Sequence, residues 1–151
     1  MNKQGIIFVV VLVGAFVIFN GLKNLSKEVS LKDWLSQAEG YGEAITQHQQ
    51  TEKPILVLFY TDWCGSCKVL KADLLTSPDV KQFINDSLIA VKINPERDMD
   101  SANLATQFNV IGYPMLFVVQ EKGQVVRLVR KTHRITSEQF IIQLQRAMNS
   151  L

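Results

Sequence analysis

The only two cysteines of this 151-residue chain lie in one stretch, Phe59-Tyr60-Thr61-Asp62-Trp63-Cys64-Gly65-Ser66-Cys67-Lys68. The stretch follows an apolar run over residues 55–60 that is typical of a buried strand, and it leads into a helical spacing of apolar residues over 68–75. A cysteine at the start of a helix faces free backbone N–H groups and the positive end of the helix dipole, which favour its thiolate. The second cysteine, three residues further on, lies close enough to close a small disulfide ring. The pattern therefore predicts thiol–disulfide exchange.

Two other roles for the cysteine pair are weaker. A disulfide that closes a loop of so few residues contributes little to stability, which argues against a purely structural bridge. A zinc site needs about four ligands, and the chain offers only His48 and His133 besides the cysteines. Two chains could pool their cysteines around one metal ion, so a metal-carrying or redox-inert binding module stays an alternative. Within one chain we expect no metal site.

The composition indicates an ordered globular domain. Hydrophobic residues make up 47% of the chain and charged residues 20%, a balance that supports a packed core. From residue 30 onward, 13 lysines and arginines balance 13 aspartates and glutamates. A nucleic-acid-binding domain would need a basic face, so we expect no nucleic-acid partner.

The front of the chain is predicted to enter a membrane. Between Lys3 and Lys23 lie 19 residues without a charge, which as a helix at about 1.5 Å per residue match a hydrocarbon core of about 30 Å. A cleavable signal peptide should end in a small-x-small site, and Phe19 is a poor residue for one. We therefore expect an uncleaved signal anchor over residues 1–22 and a short tether over 23–30. A protein secreted after cleavage is the alternative.

The charges beside this segment bear on its orientation. One lysine and the N-terminal amine precede it and three lysines follow it, which by the positive-inside rule leans toward a cytoplasmic domain. An N-terminal apolar segment with a very short leader commonly exports the domain behind it. We expect the remaining domain, residues 31–151, on the exported side of the membrane, periplasmic or otherwise extracytoplasmic.

The order of predicted elements in this domain indicates an α/β fold. Ser30 can cap a helix over residues 31–38, and Gly40 and Gly42 interrupt the pattern before a second helical stretch over 43–50. The elements predicted after the strand at 55–60 are a helix at 68–75, a helix beginning at Ser77-Pro78, a strand at 88–93, a helix at 100–108, strands at 115–119 and 125–129, and a final helix capped by Thr136 or Ser137. Crossover helices early and a hairpin late imply a central mixed β-sheet with helices on both faces.

From Glu43 to its end the chain resembles the thioredoxin family. The motifs that carry the resemblance are Phe59-Tyr60-x-x-Trp63-Cys64-Gly65-x-Cys67-Lys68, Val91-Lys92-Ile93-Asn94 and Phe108-x-Val110-x-Gly112-Tyr113-Pro114. The stretches at 44–57 and 77–80 look most similar to one branch, the C-terminal thioredoxin domain of transmembrane thiol:disulfide interchange reductases and its membrane-anchored relatives. The resemblance implies a thioredoxin fold, with a central mixed sheet between helices.

The family's functional residues are matched in this chain position by position. Cys64 matches the exposed nucleophile that attacks a partner disulfide, and Cys67 matches the buried resolving thiol. Gly112-Tyr113-Pro114 matches the substrate-binding segment, whose proline follows a cis peptide bond and places backbone beside the sulfurs. Without the resemblance, a trans proline in a turn would be the expectation. Trp63 matches a flat apolar wall near the sulfurs that also contacts substrate.

One departure from the family concerns proton transfer. Family members usually carry a buried aspartate six residues before the first cysteine, where this chain has Leu58. That acid helps to move the proton of the resolving thiol, so its absence predicts slow dithiol reduction. Asp62 and Lys92 are candidates to handle the proton in its place, and Asp62 would substitute only partly.

Gly65, Ser66 and Lys68 complete the predicted support of the cysteine pair. Ser66 stands where thioredoxin itself has proline, and the dipeptide between the cysteines tunes the redox potential. Gly-Ser lacks the histidine of strongly oxidising relatives. We therefore expect a potential between those of thioredoxin and protein disulfide isomerase, about −270 to −180 mV.

These features predict a membrane-tethered thiol:disulfide oxidoreductase that reduces disulfides of exported proteins through a Cys64–Cys67 dithiol. The redox-active disulfide would serve in place of a cofactor, with no metal, nucleotide or flavin. The partners would be disulfide-containing protein substrates and a membrane electron-donor protein that recharges the pair. A net oxidase or isomerase is the alternative within the same chemistry.

Overall fold

The computed structural model describes residues 31–120, 123–128 and 135–150. Its elements in chain order are β1 (Leu35–Ser36), α1 (Gln37–Thr51), β2 (Ile55–Phe59), α2 (Gly65–Leu70) with a π-helical turn after it (Lys71–Leu75), α3 (Pro78–Ser87), β3 (Ile89–Ile93), α4 (Met99–Gln107), β4 (Met115–Val119), β5 (Val125–Arg127) and α5 (Ser137–Asn149). The predicted signal anchor (1–22) and tether (23–30) lie outside the described residues. Among the described helices, none has the length and apolar character needed to cross a bilayer.

The five strands form one mixed sheet in the order β1-β3-β2-β4-β5. β3 runs parallel to both β1 and β2, whereas β4 is antiparallel to β2 and to β5. The β2–β3 register runs from Ile55 opposite Ile89 to Phe59 opposite Ile93. Because parallel neighbours end at the same edge of a sheet, the loops after β2 and β3 meet there.

Helices cover both faces of the sheet, so alternate residues of its strands pack into two separate cores. Every residue of β2 is buried, with Leu56 and Leu58 in one core and Ile55, Val57 and Phe59 in the other. The first core is completed by α2, α3 and α5, and the second by α1 and α4. The predicted α/β fold with a mixed sheet between helices is confirmed.

The predicted helix over residues 31–38 is wrong. Leu35–Ser36 instead forms the edge strand β1, which pairs in parallel with β3. Gln37 then turns the chain with a positive φ of 64°, and α1 runs unbroken to Thr51. Pairing with the sheet outweighs the local helical pattern here, since helix propensity is a weak signal beside tertiary contacts.

The two glycines expected to interrupt the helix lie inside α1. A Cβ atom on Gly40 would lie 3.0 Å from the carbonyl carbon of Leu35 and 3.1 Å from its Cβ, which is tighter than ordinary van der Waals contact. The absence of a side chain at Gly40 therefore lets the start of α1 fold back against β1. A Cβ atom on Gly42 would meet no atom within 4 Å, so this position imposes no such requirement.

The helix after the cysteines changes its winding halfway along. α2 is followed by the π-helical turn Lys71–Leu75, in which the backbone N–H of Thr76 donates to the carbonyl oxygen of Lys71 at 3.1 Å, five residues back. The residues that this whole segment buries are Cys67, Leu70, Leu74 and Leu75. The segment therefore buries one face along its whole length, and its second turn is wider than an α-helical one.

The later elements follow the prediction closely. Pro78 is the first residue of α3, but the hydroxyl of Ser77 donates to the carbonyl oxygen of Leu74 at 2.9 Å instead of capping the helix. α4 begins one residue before its predicted start. Thr136 caps α5 through a capping box with Gln139. β5 covers the first three residues of the predicted strand at 125–129, whose end lies outside the described residues.

Alanine substitutions separate the roles of the two glycines in α1. Gly42→Ala should raise the free energy of unfolding by about 0.5–1 kcal/mol, because alanine loses less backbone entropy than glycine in a helix. Gly40→Ala has the same advantage in backbone entropy but forces a methyl group against Leu35. Its free energy of unfolding should therefore not exceed that of the parent protein. Urea denaturation of both variants measures the difference. Equal stabilisation by both substitutions would show that Leu35 of β1 can move aside without any loss in the free energy of unfolding.

Candidate active site

The first cysteine lies at the start of α2. After β2 the chain turns, and the backbone N–H of Cys64 donates to the carbonyl oxygen of Thr61 at 3.3 Å. Cys64 is the N-cap residue of α2, with extended backbone, and its Sγ accepts the backbone N–H of Cys67 at 3.1 Å. The sulfur thus stands where a side-chain oxygen usually caps a helix. This N–H group would favour the negatively charged form of the sulfur.

Cys64 and Cys67 form a disulfide, with their Cα atoms 5.3 Å apart. The structure therefore shows the oxidised form of the predicted pair. Both residues are buried, with exposed fractions of 4% for Cys64 and 1% for Cys67. The expected exposure of Cys64 is not seen in this oxidised form, in which its sulfur is bonded to Cys67 and accepts the backbone N–H of that residue.

The hydroxyl of Ser66 joins the cysteine pair to the loop before β4. Its Oγ lies 3.4 Å from the Sγ of Cys64, and it donates to the backbone carbonyl oxygen of Tyr113 at 3.4 Å. The Tyr113–Pro114 peptide bond is cis, which confirms the prediction. Burial raises the pKa of the Tyr113 hydroxyl, and the negative charge of Glu96 raises it further. The predicted substrate-binding segment therefore lies beside the disulfide.

The indole of Trp63 stands at the surface next to this segment. Its side chain is 69% exposed, and its ring meets the Tyr113 ring edge to face, with centroids 6.2 Å apart and planes at 83°. The indole Nε1 donates to the two carboxylate oxygens of Glu96, at 2.9 and 3.2 Å. An exposed ring held on both sides presents flat apolar surface beside the cysteines.

Asp62 is held by the loop that follows β3. Its Oδ2 lies 2.7 Å from a guanidinium nitrogen of Arg97 and accepts the side-chain amide of Asn94 at 3.2 Å. Asn94 is buried, and its Oδ1 accepts the backbone N–H of Glu96 at 3.0 Å. Asp62 and Arg97 are both more than half exposed, so their ion pair adds little stability. The contacts orient Asp62 toward this loop, and its part in proton transfer stays a prediction.

Sequence reasoning did not identify Asn94, Glu96 and Arg97 as parts of the site. The signal that could have found them is the parallel pairing of β2 with β3. Side chains that follow two parallel neighbours gather at one edge of the sheet. The polar residues directly after the strand at 88–93 would then have been assigned to the same place as the cysteines.

Leu58 and Lys92 are neighbours across the β2–β3 ladder. Leu58 is completely buried in the core that includes the inner face of α2. The Lys92 ammonium donates to the carbonyl oxygen of Leu31 at 2.6 Å, on the β1 side of β3. Burial lowers the pKa of Lys92, and the nearby carboxylate of Asp33 opposes that shift. An apolar side chain thus occupies the position of the family's aspartate, with an engaged ammonium group on the neighbouring strand.

The other predicted support residues lie on the outside of the site. Gly65 and Lys68 are exposed on α2, and Gly112, which was predicted to bind substrate, is half-buried. Lys71, which was not predicted, places its ammonium 4.0 Å from the centre of the Tyr60 ring. This cation–π contact joins the π-helical turn to the residue that follows β2.

Potential metal ligands do not cluster in the part of the chain that the structure describes. No three side chains of histidine, cysteine, aspartate or glutamate gather there in a group that could hold a metal ion. The Nδ1 of His48 contacts the carbonyl oxygen of Lys53 at 2.8 Å. The second histidine, His133, lies outside the described residues.

A family model described as thioredoxin-like matches residues 33–120. The thiol:disulfide interchange protein DsbD of Tatumella citrea is 29% identical over 125 residues, which cover 82% of this chain and 19% of that protein. The disulfide bond reductase DsbH of Chlamydia pneumoniae is 29% identical over 97 residues, which cover 58% of each chain. This chain thus spans about a fifth of the length of the interchange protein and more than half of the reductase.

Solved structures share the architecture. A DsbH oxidoreductase superposes with a TM-score of 0.66 at 23% identity, covering 78% of this chain and 85% of that one. The C-terminal domain of Neisseria meningitidis DsbD in its oxidised form superposes with a TM-score of 0.60 at 24% identity, covering 76% of this chain and 98% of that one. At these identities the likeness shows the fold alone. The resemblance and the fold inferred from the sequence are both confirmed.

Proposed function

This chain belongs to the thioredoxin-like family, and on that premise we propose that it is a thiol:disulfide oxidoreductase that reduces disulfides of other proteins. Two relatives are a thiol:disulfide interchange protein and a disulfide bond reductase. The observation that carries the proposal is the Cys64–Cys67 disulfide at the start of α2, beside Ser66 and Tyr113. A bridge across so few residues has little structural value, whereas it is well placed to open and close by exchange.

In the proposed reaction the reduced protein acts as the nucleophile. The Cys64 thiolate attacks one sulfur of a partner disulfide, so that a mixed disulfide forms and the partner's second sulfur leaves as a thiolate, which takes up a proton. Cys67, once deprotonated, attacks the Cys64 sulfur, closes the Cys64–Cys67 bond and releases the partner's first sulfur. Two electrons pass to the partner. The product is the oxidised form that the structure describes.

Local groups suit the two sulfurs to different tasks. The backbone N–H of Cys67 is directed at the Cys64 sulfur at 3.1 Å, and a donor in that position stabilises a thiolate. Cys67 is buried on the inner face of α2, where a thiol resists ionisation. We therefore assign Cys64 as the nucleophile and Cys67 as the resolving thiol.

Cys67→Ser should trap mixed disulfides with partner proteins, because the second step of the exchange is lost. Cys64→Ser is the matched control and should trap none, since the backbone N–H that would stabilise a thiolate is directed at position 64 and the remaining thiol is buried. Acid quenching, alkylation and non-reducing electrophoresis of cells that express each variant measure the trapped species. Trapping by Cys64→Ser alone would reverse the assignment of the two sulfurs. Trapping by neither variant would count against protein disulfides as substrates.

We propose net reduction as the direction of electron flow. The Gly65-Ser66 dipeptide lacks the histidine of strongly oxidising relatives, which supports a potential of about −270 to −180 mV. Equilibration with glutathione buffers measures it. A value near that of the strong bacterial oxidant, about −120 mV, would favour a net oxidase instead.

Leu58→Asp tests whether the proton of Cys67 limits the second step. A carboxylate in this core could accept that proton, so turnover of a model disulfide should rise near pH 7. The gain should stay below the roughly hundredfold that positioned acid–base groups commonly reach, because Lys92 lies beside position 58 and would stabilise the carboxylate's charge.

Leu58→Asn is the matched control, since it has a similar shape but no basic group. Both variants should lose stability, because a buried polar group without full hydrogen bonding is costly, and denaturation curves check that each is folded. A folded Leu58→Asp protein with the parent's rate would show that Asp62, Lys92 or water already handles the proton.

We further propose that the domain is tethered to a membrane and faces the exported side. The support is the run of 19 uncharged residues between Lys3 and Lys23. A tether over residues 23–30 would keep the domain within a few tens of ångströms of the bilayer. A membrane protein that donates electrons could then recharge the cysteine pair in place.

The tethered protein should keep residues 1–22 and remain in the membrane fraction after a carbonate wash. Mass spectrometry of the N-terminal peptide measures retention, and protease added from the outer face measures orientation. Recovery in the wash of a protein that begins near residue 20 would show a cleaved signal peptide instead.

A further inference from the structure

The hydroxyl group of Ser66 has one proton and two acceptors within reach. Its Oγ lies 3.4 Å from the Sγ of Cys64 and 3.4 Å from the backbone carbonyl oxygen of Tyr113. Ser66 is half-buried, so water competes only in part for the same proton. Which acceptor receives the proton depends on the charge that the sulfur carries.

In the oxidised form the carbonyl oxygen is the better acceptor. A disulfide sulfur is neutral and accepts hydrogen bonds weakly, whereas a backbone carbonyl oxygen accepts them well. The distance of 3.4 Å between Ser66 Oγ and the carbonyl oxygen of Tyr113 is nevertheless long, since O–H···O bonds usually span about 2.5–3.0 Å. The bond to Tyr113 is therefore weak and readily exchanged.

In the reduced form the preference reverses. The Cys64 thiolate carries a full negative charge, and hydrogen bonds to a charged acceptor are roughly twice as strong as neutral ones. The same separation of 3.4 Å is an ordinary contact for sulfur, which is larger than oxygen. Once the disulfide has opened, rotation of the hydroxyl hydrogen is enough to transfer the hydrogen bond from the carbonyl oxygen to the sulfur.

We propose that Ser66 is a catalytic residue of the exchange reaction, which changes its hydrogen-bond partner with redox state and stabilises the Cys64 thiolate. The inference rests on the proposed function, because it assigns a role within that reaction. In the reduced protein the hydroxyl donates to the thiolate and keeps it available for attack. When Cys67 closes the ring, the sulfur loses its charge and the hydroxyl returns to the carbonyl oxygen of Tyr113.

Other groups around the sulfur act independently of this hydroxyl. The backbone N–H of Cys67 donates to the Cys64 Sγ at 3.1 Å and does not depend on the side chain at position 66. The other ionisable side chains on α2 and on the loops after β2, after β3 and before β4 are Tyr60, Asp62, Cys67, Lys68, Glu96, Arg97, Asp98 and Tyr113. Removal of the hydroxyl leaves all of them in place, so a change in the titration of Cys64 can be assigned to Ser66.

The pKa of the Cys64 thiol in the reduced full-length protein tests the proposal. Ser66→Ala removes the donor and should raise that pKa by about one unit, so that alkylation near neutral pH slows by up to about tenfold. Ser66→Thr keeps a hydroxyl and should stay near the parent value. Iodoacetamide labelling across the pH range, read by mass spectrometry, follows Cys64 separately from Cys67.

An unchanged Cys64 pKa in Ser66→Ala would overturn the proposal. An equal rise in Ser66→Thr would overturn it too, because the effect would then belong to packing at the start of α2. The measurement needs no disulfide substrate. Failure of the parent protein to reduce any disulfide therefore refutes the proposed function, whereas an unchanged thiol pKa refutes only the role of Ser66.

Discussion

The position of β2 between a parallel and an antiparallel neighbour is the constraint on which the rest of the structure depends. Its end lies opposite Ile93, the last residue of β3, and opposite Met115, the first residue of β4. Three loops therefore converge on the point where β2 ends: its own, the one that leaves β3 and the one that enters β4. The convergence explains why Tyr113–Pro114 and Asn94 lie beside a cysteine pair far from them in the sequence. The same strand contributes to both cores. The cysteine pair therefore follows directly after a strand that is buried on both faces of the sheet.

The site combines an apolar interior with a polar rim. Below α2 the core contains Leu58 and no carboxylate at that position. Around the cysteines, hydrogen bonds and one ion pair connect the loop after β2 with the loop after β3, through Trp63 with Glu96 and Asp62 with Arg97. Contacts this exposed contribute little to the free energy of folding. Their effect is geometric, because they limit the orientations open to the residues that flank the first cysteine.

Local sequence was sufficient to predict a structural feature wherever all the residues that specify it lie within one short segment. The apolar run of β2, the cysteine spacing and a helix cap at Thr136 or Ser137 are such signals, and the structure contains the strand, the disulfide and a cap at Thr136. The rest depended on partners distant in the sequence. β1 has only two residues and exists because Leu35 pairs with Val91, and no periodicity in residues 31–38 contains that information. The two cysteines could likewise be named from their spacing, but Glu96 is separated from Trp63 by 33 residues and Arg97 from Asp62 by 35, and only the strand order brings these pairs together.

The π-helical turn after α2 bears on how this chain can vary in length. A π-helical turn uses one residue more than an α-helical turn for nearly the same rotation, so the loss of one residue from Lys71–Leu75 would restore regular winding and leave the two halves of the segment in the same phase. If the lost residue is one of the exposed residues 72 and 73, Cys67 and the adjacent pair Leu74 and Leu75 would all stay in the interior. The wider turn thus accommodates one additional residue without rotating the redox end of the helix against its packing end. This segment is therefore a place where the chain can lose one residue, at its exposed positions 72 and 73, while both ends of the helix keep their buried faces.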